Sequence, residues 1–260
     1  MQLRAAARAV PHLADNRHLR ALATGLVLGR VQLPGIRAIT FDAAGTLVDP
    51  HPSVGAVYGE VGRAHGLAAT DAELERRFHA AFKARNHLLR STEPAERAFW
   101  RELIGEVFAP WADAATADRL YPDLWEAFAE ARRWRPRADM PALLALLRRR
   151  GLKLAILSNW DSRLHRVVAG HGWREWLDHV FVSADLGVEK PAHAIFAYAA
   201  TALGCRPDEI LHVGDSWQHD VVGALGAGWH AAWIDRSTTP LADERAHRIA
   251  RLEQVPELLA

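Results

Sequence analysis

Residues 36–46 read IRAITFDAAGT, a short apolar run that ends in an aspartate and a small-residue turn. The apolar stretch up to Phe41 predicts a buried strand, and Gly45 predicts a sharp turn behind Asp42. A carboxylate at the end of such a strand can attack a phosphorus or carbon centre and form a covalent intermediate. Because an aspartate there more often caps or turns the chain, the role of Asp42 depends on which other polar groups gather beside it.

The segment that follows has a helical pattern throughout. Apolar residues recur at i, i+3, i+4 and i+7 from Val54 to Val61, and three further stretches as far as about residue 133 repeat helical spacing. No strand-like alternation interrupts these stretches. The sequence therefore predicts an all-helical domain at 51–136.

The pattern changes after residues 134–141, WRPRADMP, which read as a linker. Short apolar runs then alternate with amphipathic helices, with strands predicted at 153–157, 179–183, 210–213 and 229–234. Strands that alternate with helices imply right-handed crossovers and a parallel sheet. The predicted fold class is α/β, a doubly wound parallel sheet at 36–50 and 137–260 that carries the helical domain as an insertion, with an N-terminal extension at 1–35.

The composition excludes several classes of partner. The 32 basic and 31 acidic residues nearly cancel, so no net field favours nucleic acid or a membrane surface. No apolar run reaches the roughly 18 residues that a membrane span needs. The single cysteine, Cys205, excludes an intramolecular disulfide and suits a reducing cytoplasm. We expect a cytoplasmic protein, with a targeting segment in the arginine-rich first 37 residues as the alternative; the sequence does not indicate an oligomeric state.

Polar residues follow each of the predicted strands in the middle of the sheet. Ligands of open parallel sheets bind beyond the carboxyl ends of the strands. Ser158 precedes a predicted helix, whose free N–H groups offer an anion site. Lys190 is followed by Pro191, a favoured first helical residue, so its ammonium group is expected at a helix start, where it would screen a nucleophile from an incoming anion.

Three aspartates complete this set. Asp215 ends the strand at 210–213, and Asp220 lies five residues further on. Together with Asp42 they could bring oxygen ligands to one Mg²⁺, which prefers such ligands and keeps waters. This hypothesis requires Asp42 and Asp215 to lie no more than about 8 Å apart, since each oxygen lies about 2 Å from a shared ion.

These motifs resemble those of the haloacid dehalogenase superfamily. Residues 41–47 resemble its first motif, 157–159 the second, 189–191 the third and 214–224 the fourth. The resemblance covers about 36–234. It implies a Rossmann-like core with a helical cap between the first two motifs, and hydrolysis of a small phosphorylated metabolite through an aspartyl-phosphate, with Mg²⁺ as cofactor.

The resemblance also implies roles for individual residues. Asp42 would be the nucleophile, Thr46 and Ser158 would position the phosphate or the nucleophile, and Lys190 would balance charge. Asn159, within the second motif, joins this set of candidate site residues. The expected metal ligands are Asp42, Asp215, the assisting Asp220 and the backbone carbonyl of Ala44.

The departure from the family pattern is at Ala44. Most phosphatases of the superfamily carry a second aspartate at this position, acting as general acid and base, a contribution worth about 10²–10⁴ in rate. Ala44 cannot transfer a proton, so an alkyl phosphate should be a slow substrate.

Four alternatives follow from that loss. One is a phosphatase in which a water, the cap or an acidic leaving group makes up for the missing proton. Another is a phosphonate hydrolase, which would form a Schiff base on Lys83, the only lysine of the predicted cap. The third is a dehalogenase, from which halide departs unprotonated. Such enzymes lack the acid of the Gly-Asp-Ser motif, so the presence of Asp215 argues against this alternative. The fourth is a non-enzymatic binding protein that retains the pocket.

Several neighbouring residues have simpler explanations. His212 and His219 are predicted to pack or hydrogen-bond because they lack a zinc-like ligand pattern. Trp160 and Trp217, each directly after a motif, are candidates for walls of the pocket. Asp49 is predicted to lie near the cap hinge and not to donate a proton.

Overall fold

The computed structural model of the protein describes residues 32–85, 87–138, 140–235, 241, 243 and 245–260. The N-terminal extension predicted at 1–35 lies outside these residues except for its last four positions. There, Leu33 is buried and forms a bridge with Leu259.

A parallel sheet forms the centre of the molecule. Its strands are β1 (Ala38–Phe41), β4 (Lys153–Ser158), β5 (His179–Val182), β6 (Ile210–Gly214), β7 (His230–Ile234) and β8 (Ala246–Ile249). Over the described residues the order is β5-β4-β1-β6-β7-β8, and every neighbouring pair is parallel. The chain thus winds outward from β1 in both directions, which is the predicted doubly wound α/β fold. The point where the winding reverses lies beside β1, where ligands of such folds bind.

Helices cover both faces of this sheet. They are α5 (Met140–Arg149), α6 (Arg163–Gly170), the short α7 (Ser183–Leu186), α8 (His193–Leu203) and α9 (Gly223–Gly226). Alternate residues of β1 enter opposite apolar clusters: Ile39 and Phe41 pack with α5 and α6, and Ala38 packs with α8 and α9. Burial on both faces explains why these strands read as continuous apolar runs.

The inserted helices have an apolar cluster of their own. They are α1 (Val54–Ala64), α2 (Asp71–Arg85), α3 (Glu93–Phe108) and α4 (Ala114–Ala127). Ser53 and Thr92 cap α1 and α3 through their side-chain oxygens. A Cβ on Gly55 or Gly59 would collide with α2, so these glycines allow α1 and α2 to pack closely.

The structure differs from the sequence prediction in three elements. The segment predicted as a linker contains β3 (Trp134–Pro136), which pairs antiparallel with β2 (Val48–Pro50). The helix predicted to start at Val221 begins earlier, as a π-helical turn over Trp217–Val222. Strand β8 was not predicted, because its four residues include His247 and Arg248 and lack an apolar pattern. Among the described residues no helix is long and apolar enough to cross a membrane.

Candidate active site

The carboxyl ends of β1, β4 and β6 bring the first candidates together. The backbone N–H of Asp42 donates to the carbonyl of Val213, which holds the end of β1 against β6. One carboxylate oxygen from each of Asp42, Asp215 and Asp220 lies within 4.8 Å of the other two. The expected proximity of positions 42 and 215 is therefore confirmed.

The carboxylate of Asp42 is held on one side only. Its Oδ1 accepts hydrogen bonds from Ser158 Oγ at 2.9 Å and from Lys190 Nζ at 2.8 Å. Within the described part of the chain, no donor reaches the other oxygen, Oδ2. This arrangement orients the carboxylate and leaves one oxygen for attack or for a metal ion.

Lys190 is the buried cation of the site, with a side chain only 1% exposed. Its Nζ lies 2.8 Å from Asp42 Oδ1 and 2.6 Å from Asp220 Oδ1. Burial alone would lower the pKa of Lys190, but the charges of Asp220 and Asp42 outweigh burial and raise it. The ammonium group therefore stays charged and partly neutralises the aspartate cluster.

Asn159 places Lys190 by binding its backbone. Asn159 Nδ2 donates to the carbonyl of Lys190, and the N–H of Lys190 donates to Asn159 Oδ1, both at 2.8 Å. The prediction that Pro191 is the first helical residue is wrong: α8 begins at His193, with Ala192 as its N-cap. The two bonds to Asn159 use the backbone groups of Lys190 and hold it in the loop before the helix.

Asp215 and Thr46 lie in facing loops. Thr46 Oγ1 donates a long, 3.4 Å hydrogen bond to Asp215 Oδ1. Gly45 adopts a positive φ of 84°, and a Cβ at this position would collide with the carboxylate of Asp215. Asp215 is an exposed residue that borders a cavity, yet partial desolvation of its carboxyl, followed by the charges of Asp42 and Asp220, raises its pKa to about 6.

Asp220 is fully engaged by donors. Its Oδ1 accepts from Lys190, and His212 Nε2 lies 3.0 Å from the same oxygen. Its Oδ2 accepts from the N–H of Ser216 at 2.9 Å. Burial would raise the pKa of Asp220, but the charge of Lys190 and the hydrogen bond with His212 lower it well below its usual range. Asp220 therefore holds Lys190 in place, and its oxygens are less free than those of Asp42.

The histidines behave as the sequence indicated. His212 is fully buried, with Nδ1 at 2.8 Å from Thr40 Oγ1 and Nε2 facing Asp220. His219 lies 3.2 Å from Ser216 Oγ through its Nδ1. Neither belongs to a group of metal-ligating side chains within the described residues.

A cavity of about 470 Å³ opens above this site, between the sheet and the inserted helices. Ala44, Gly45, Asp49 and Asp215 line its lower end. Nine of the other nineteen described lining residues are aromatic: Tyr58, Phe78, Phe82, Trp100, Tyr121, Trp125, Phe128, Trp134 and Trp160. The expected role for Trp160 as a pocket wall thus agrees with the structure.

Two other expected neighbours of the cavity do not line it. Trp217 packs against Trp233, with ring centroids 4.9 Å apart. Lys83 is exposed on α2 and is absent from the described lining of the cavity. Asp49 does line the cavity, but Arg137 binds both of its oxygens at 2.6 and 2.8 Å, so neither is free to hand on a proton.

Several charged residues of the cavity wall were missed by the sequence analysis. Arg163 pairs with Asp161 through two hydrogen bonds of 2.7 and 2.6 Å and stacks over Trp125. Arg90 lies beside Glu96, whose pKa is raised to about 7 by burial, against the opposing charge of Arg90. No local pattern marks these residues, since each is a single charge in a helix or loop.

Comparisons with known proteins identify relatives of this chain. A family model described as haloacid dehalogenase-like hydrolase matches residues 36–228. Haloacid dehalogenase-like hydrolase domain-containing protein 3 of Mus musculus is 34% identical over 206 residues, covering 75% of this chain and 80% of the relative. A phosphoserine phosphatase of Thermus thermophilus is 31% identical over 238 residues, covering 79% of this chain and 91% of the relative.

The solved structures with a similar fold include an L-2-haloacid dehalogenase from Xanthobacter autotrophicus. It has a TM-score of 0.65 and 24% identity, covering 86% of this chain and 98% of that one. At this level of identity the likeness concerns the fold.

Proposed function

Since this chain belongs to the haloacid dehalogenase-like hydrolase family, we propose that it hydrolyses a small phosphorylated metabolite through an aspartyl-phosphate on Asp42. The observation that carries the proposal is the asymmetric environment of Asp42: one oxygen is held by Ser158 and Lys190, and the other is free of donors within the described residues. A relative named phosphoserine phosphatase supports the choice of a phosphate ester.

In the first step, the free carboxylate oxygen of Asp42 bonds to phosphorus, and the bond from phosphorus to the leaving oxygen breaks. Ser158 and Lys190 orient the carboxylate and offset the charge that the phosphate brings. The leaving oxygen keeps the bonding electron pair and takes a proton from water, because Ala44 has none to give.

In the second step, a water attacks the phosphorus of the aspartyl-phosphate. The bond between phosphorus and the Asp42 oxygen breaks, which releases inorganic phosphate and restores the carboxylate, and the proton that the attacking water loses passes to bulk water. Ala44 also cannot accept the proton of this water, so both steps lack general acid–base help from position 44.

The donor set at the lower end of the cavity fits Mg²⁺. Asp42, Asp215 and the carbonyl of Ala44 would hold it, because carboxylate and carbonyl oxygens are its preferred ligands. Desolvation and then repulsion from Asp42 and Asp220 raise the pKa of Asp215, and a divalent cation would relieve that repulsion. When bound, Mg²⁺ supplies charge neutralisation for the phosphate and the carboxylates. Asp220 contributes through Lys190, to which its Oδ1 is bonded.

Residues 51–136 serve as the cap in this proposal, covering the site and selecting the substrate. The other chemistries find less support. Phosphonate hydrolysis would need Lys83, which is exposed and lies outside the described lining of the cavity. Dehalogenation would leave Asp215 without a role. A binding protein without activity would not need a nucleophile with an oxygen free of donors.

The test is Asp42→Asn, assayed with Mg²⁺ and 4-nitrophenyl phosphate. We expect turnover to fall at least about a thousandfold, because the amide is not a nucleophile, with an unchanged circular dichroism spectrum. Asp118→Asn is the matched control, since Asp118 is an exposed residue of α4 and pairs with the exposed Arg101. Activity of Asp42→Asn close to wild type, or full wild-type activity in excess EDTA, contradicts the proposal.

A further inference from the structure

Arg90 is a cation of the cavity with side-chain donors that lack acceptors among the described residues. Its side chain is 14% exposed, and within the described residues its Nε and one Nη are buried without a hydrogen-bond acceptor. Nε lies 3.4 Å from Glu96 Oε1, close enough for an ion pair but outside hydrogen-bond geometry. Buried donors without acceptors are uncommon in folded proteins, so these nitrogens indicate a ligand.

The charge around Arg90 is only partly compensated. The nearby Arg163 shows the contrast, since both oxygens of Asp161 accept from it. Glu96 offers Arg90 a single long contact, and burial raises the pKa of Glu96 to about 7, so it is only partly ionised near neutral pH. The planar guanidinium of Arg90 therefore suits a carboxylate, which could accept from its two Nη groups as a fork.

The wall around this cation is suited to a planar ring. Phe82, Trp100, Trp125 and Trp160 line the cavity together with Arg90. The guanidinium of Arg90 lies 4.2 Å from the ring centroid of Phe99 and 5.6 Å from that of Phe82. Flat aromatic side chains pack well against the face or edge of another ring. A ligand that has both a ring and a carboxylate would use both features of the cavity.

The absence of a proton donor at Ala44 favours a substrate with an acidic leaving group. A phenol ionises near a pKa of about 10, as tyrosine does, whereas water, like an alkyl alcohol, ionises near 15.7. A phenolate can therefore leave phosphorus without being protonated in the same step. This observation concerns the leaving group and not the carboxylate, so it is independent of Arg90.

We infer that the substrate is an aryl phosphate whose phenol carries a carboxylate, with the ring among the aromatic side chains and the carboxylate on Arg90. This inference rests on the proposed phosphatase function and adds its substrate class. The Asp42 oxygen bonds to phosphorus, the bond from phosphorus to the aryl oxygen breaks, and the phenolate keeps the electron pair. Water later protonates the phenolate.

The kinetic test compares 4-carboxyphenyl phosphate with phenyl phosphate in the full-length enzyme. We expect wild-type kcat/KM to favour the carboxylated ester at least tenfold, and Arg90→Met to bring the ratio close to one. Arg90→Lys keeps the charge but not the fork, so it should retain part of the preference. Arg76→Met is the matched control, because Arg76 is exposed on α2, and it should keep the wild-type ratio. Equal kcat/KM for the two esters in the wild type, or an unchanged ratio in Arg90→Met, overturns the inference.

A binding test separates this inference from the proposed function. 4-Hydroxybenzoate, the phenol that would be released, should quench tryptophan fluorescence with a Kd at least tenfold below that of phenol, and Arg90→Met should remove the difference. Turnover of 4-nitrophenyl phosphate without this binding overturns the substrate class and leaves the phosphatase standing. Binding without turnover of any ester overturns the phosphatase and leaves the ligand class of the cavity supported.

Discussion

Ala44 carries only a methyl group at the lower end of the cavity, two residues from the nucleophile proposed here. A carboxyl group at this position would face the same space as the leaving oxygen. Its absence should slow the hydrolysis of esters whose leaving group needs a proton more than the hydrolysis of phenyl esters.

We therefore expect Ala44→Asp to raise kcat/KM for ethyl phosphate by about a hundredfold, within the usual range for general acid–base help. The gain on 4-nitrophenyl phosphate should be much smaller, because its leaving group is already acidic. Ala44→Asn is the matched control: it has the same size but no proton to transfer. No gain with aspartate, or an equal gain with asparagine, would show that the missing proton donor does not limit the reaction.

At the scale of elements, the sequence predicted what depends on local pattern. Asp42 and Asp215 could be expected to meet because each directly follows an apolar strand, and parallel strands present their carboxyl ends at one edge. The pairing of β2 with β3 could not be expected, since each strand has three residues and four helices separate them. Arg90 and Glu96 could not be identified either, because their environment results from tertiary packing, which no short sequence pattern encodes.

Helices α3 and α6 meet end to end across the boundary between the inserted helices and the sheet. Glu93, in the first turn of α3, accepts from Ser162 N–H at 3.1 Å and from Ser162 Oγ at 2.9 Å. Ser162 is the N-cap of α6, so a residue of one unit completes the helix start of the other. Nearby, Glu189 accepts from the N–H of Arg90 at 2.9 Å, which adds a second link beside the cavity.

If these links hold the helices over the site during turnover, Glu93→Ala should lower kcat/KM for 4-nitrophenyl phosphate about tenfold, the usual effect of losing one charged hydrogen bond. Glu102→Ala, on the same helix, should leave kcat/KM unchanged, because the exposed Glu102 pairs with Arg85 of α2 and not with the core. Equal kinetics for the two variants would mean that the contact of Glu93 with Ser162 does not contribute to closure.

For the whole molecule, Glu96 links stability to pH. Burial raises its pKa from 4.5 to about 7, so the folded protein binds a proton that the unfolded chain releases. The free energy of unfolding should therefore fall as the pH rises from about 4.5 to about 7, by up to about 3 kcal/mol from this group.

Glu96→Gln removes that titration while keeping the shape of the side chain. Relative to wild type, the variant should gain stability between pH 5 and pH 8 in urea unfolding. Glu102→Gln, at an exposed position of the same helix, should show no such gain. A stability difference for Glu96→Gln that is the same at both pH values would contradict the assignment.

The ladder between β2 and β3 has a mechanical consequence. The chain passes between the sheet and the inserted helices twice, and Val48 pairs with Pro136 and Pro50 with Trp134 where it does so. The two connections therefore form one two-stranded antiparallel sheet, and the ion pair between Arg137 and Asp49 stabilises one of its edges. Such a paired connection would restrict the inserted helices to rotation about one axis. Arg90 would then move relative to the ligand, while Asp42, at the end of a central strand, would keep its position.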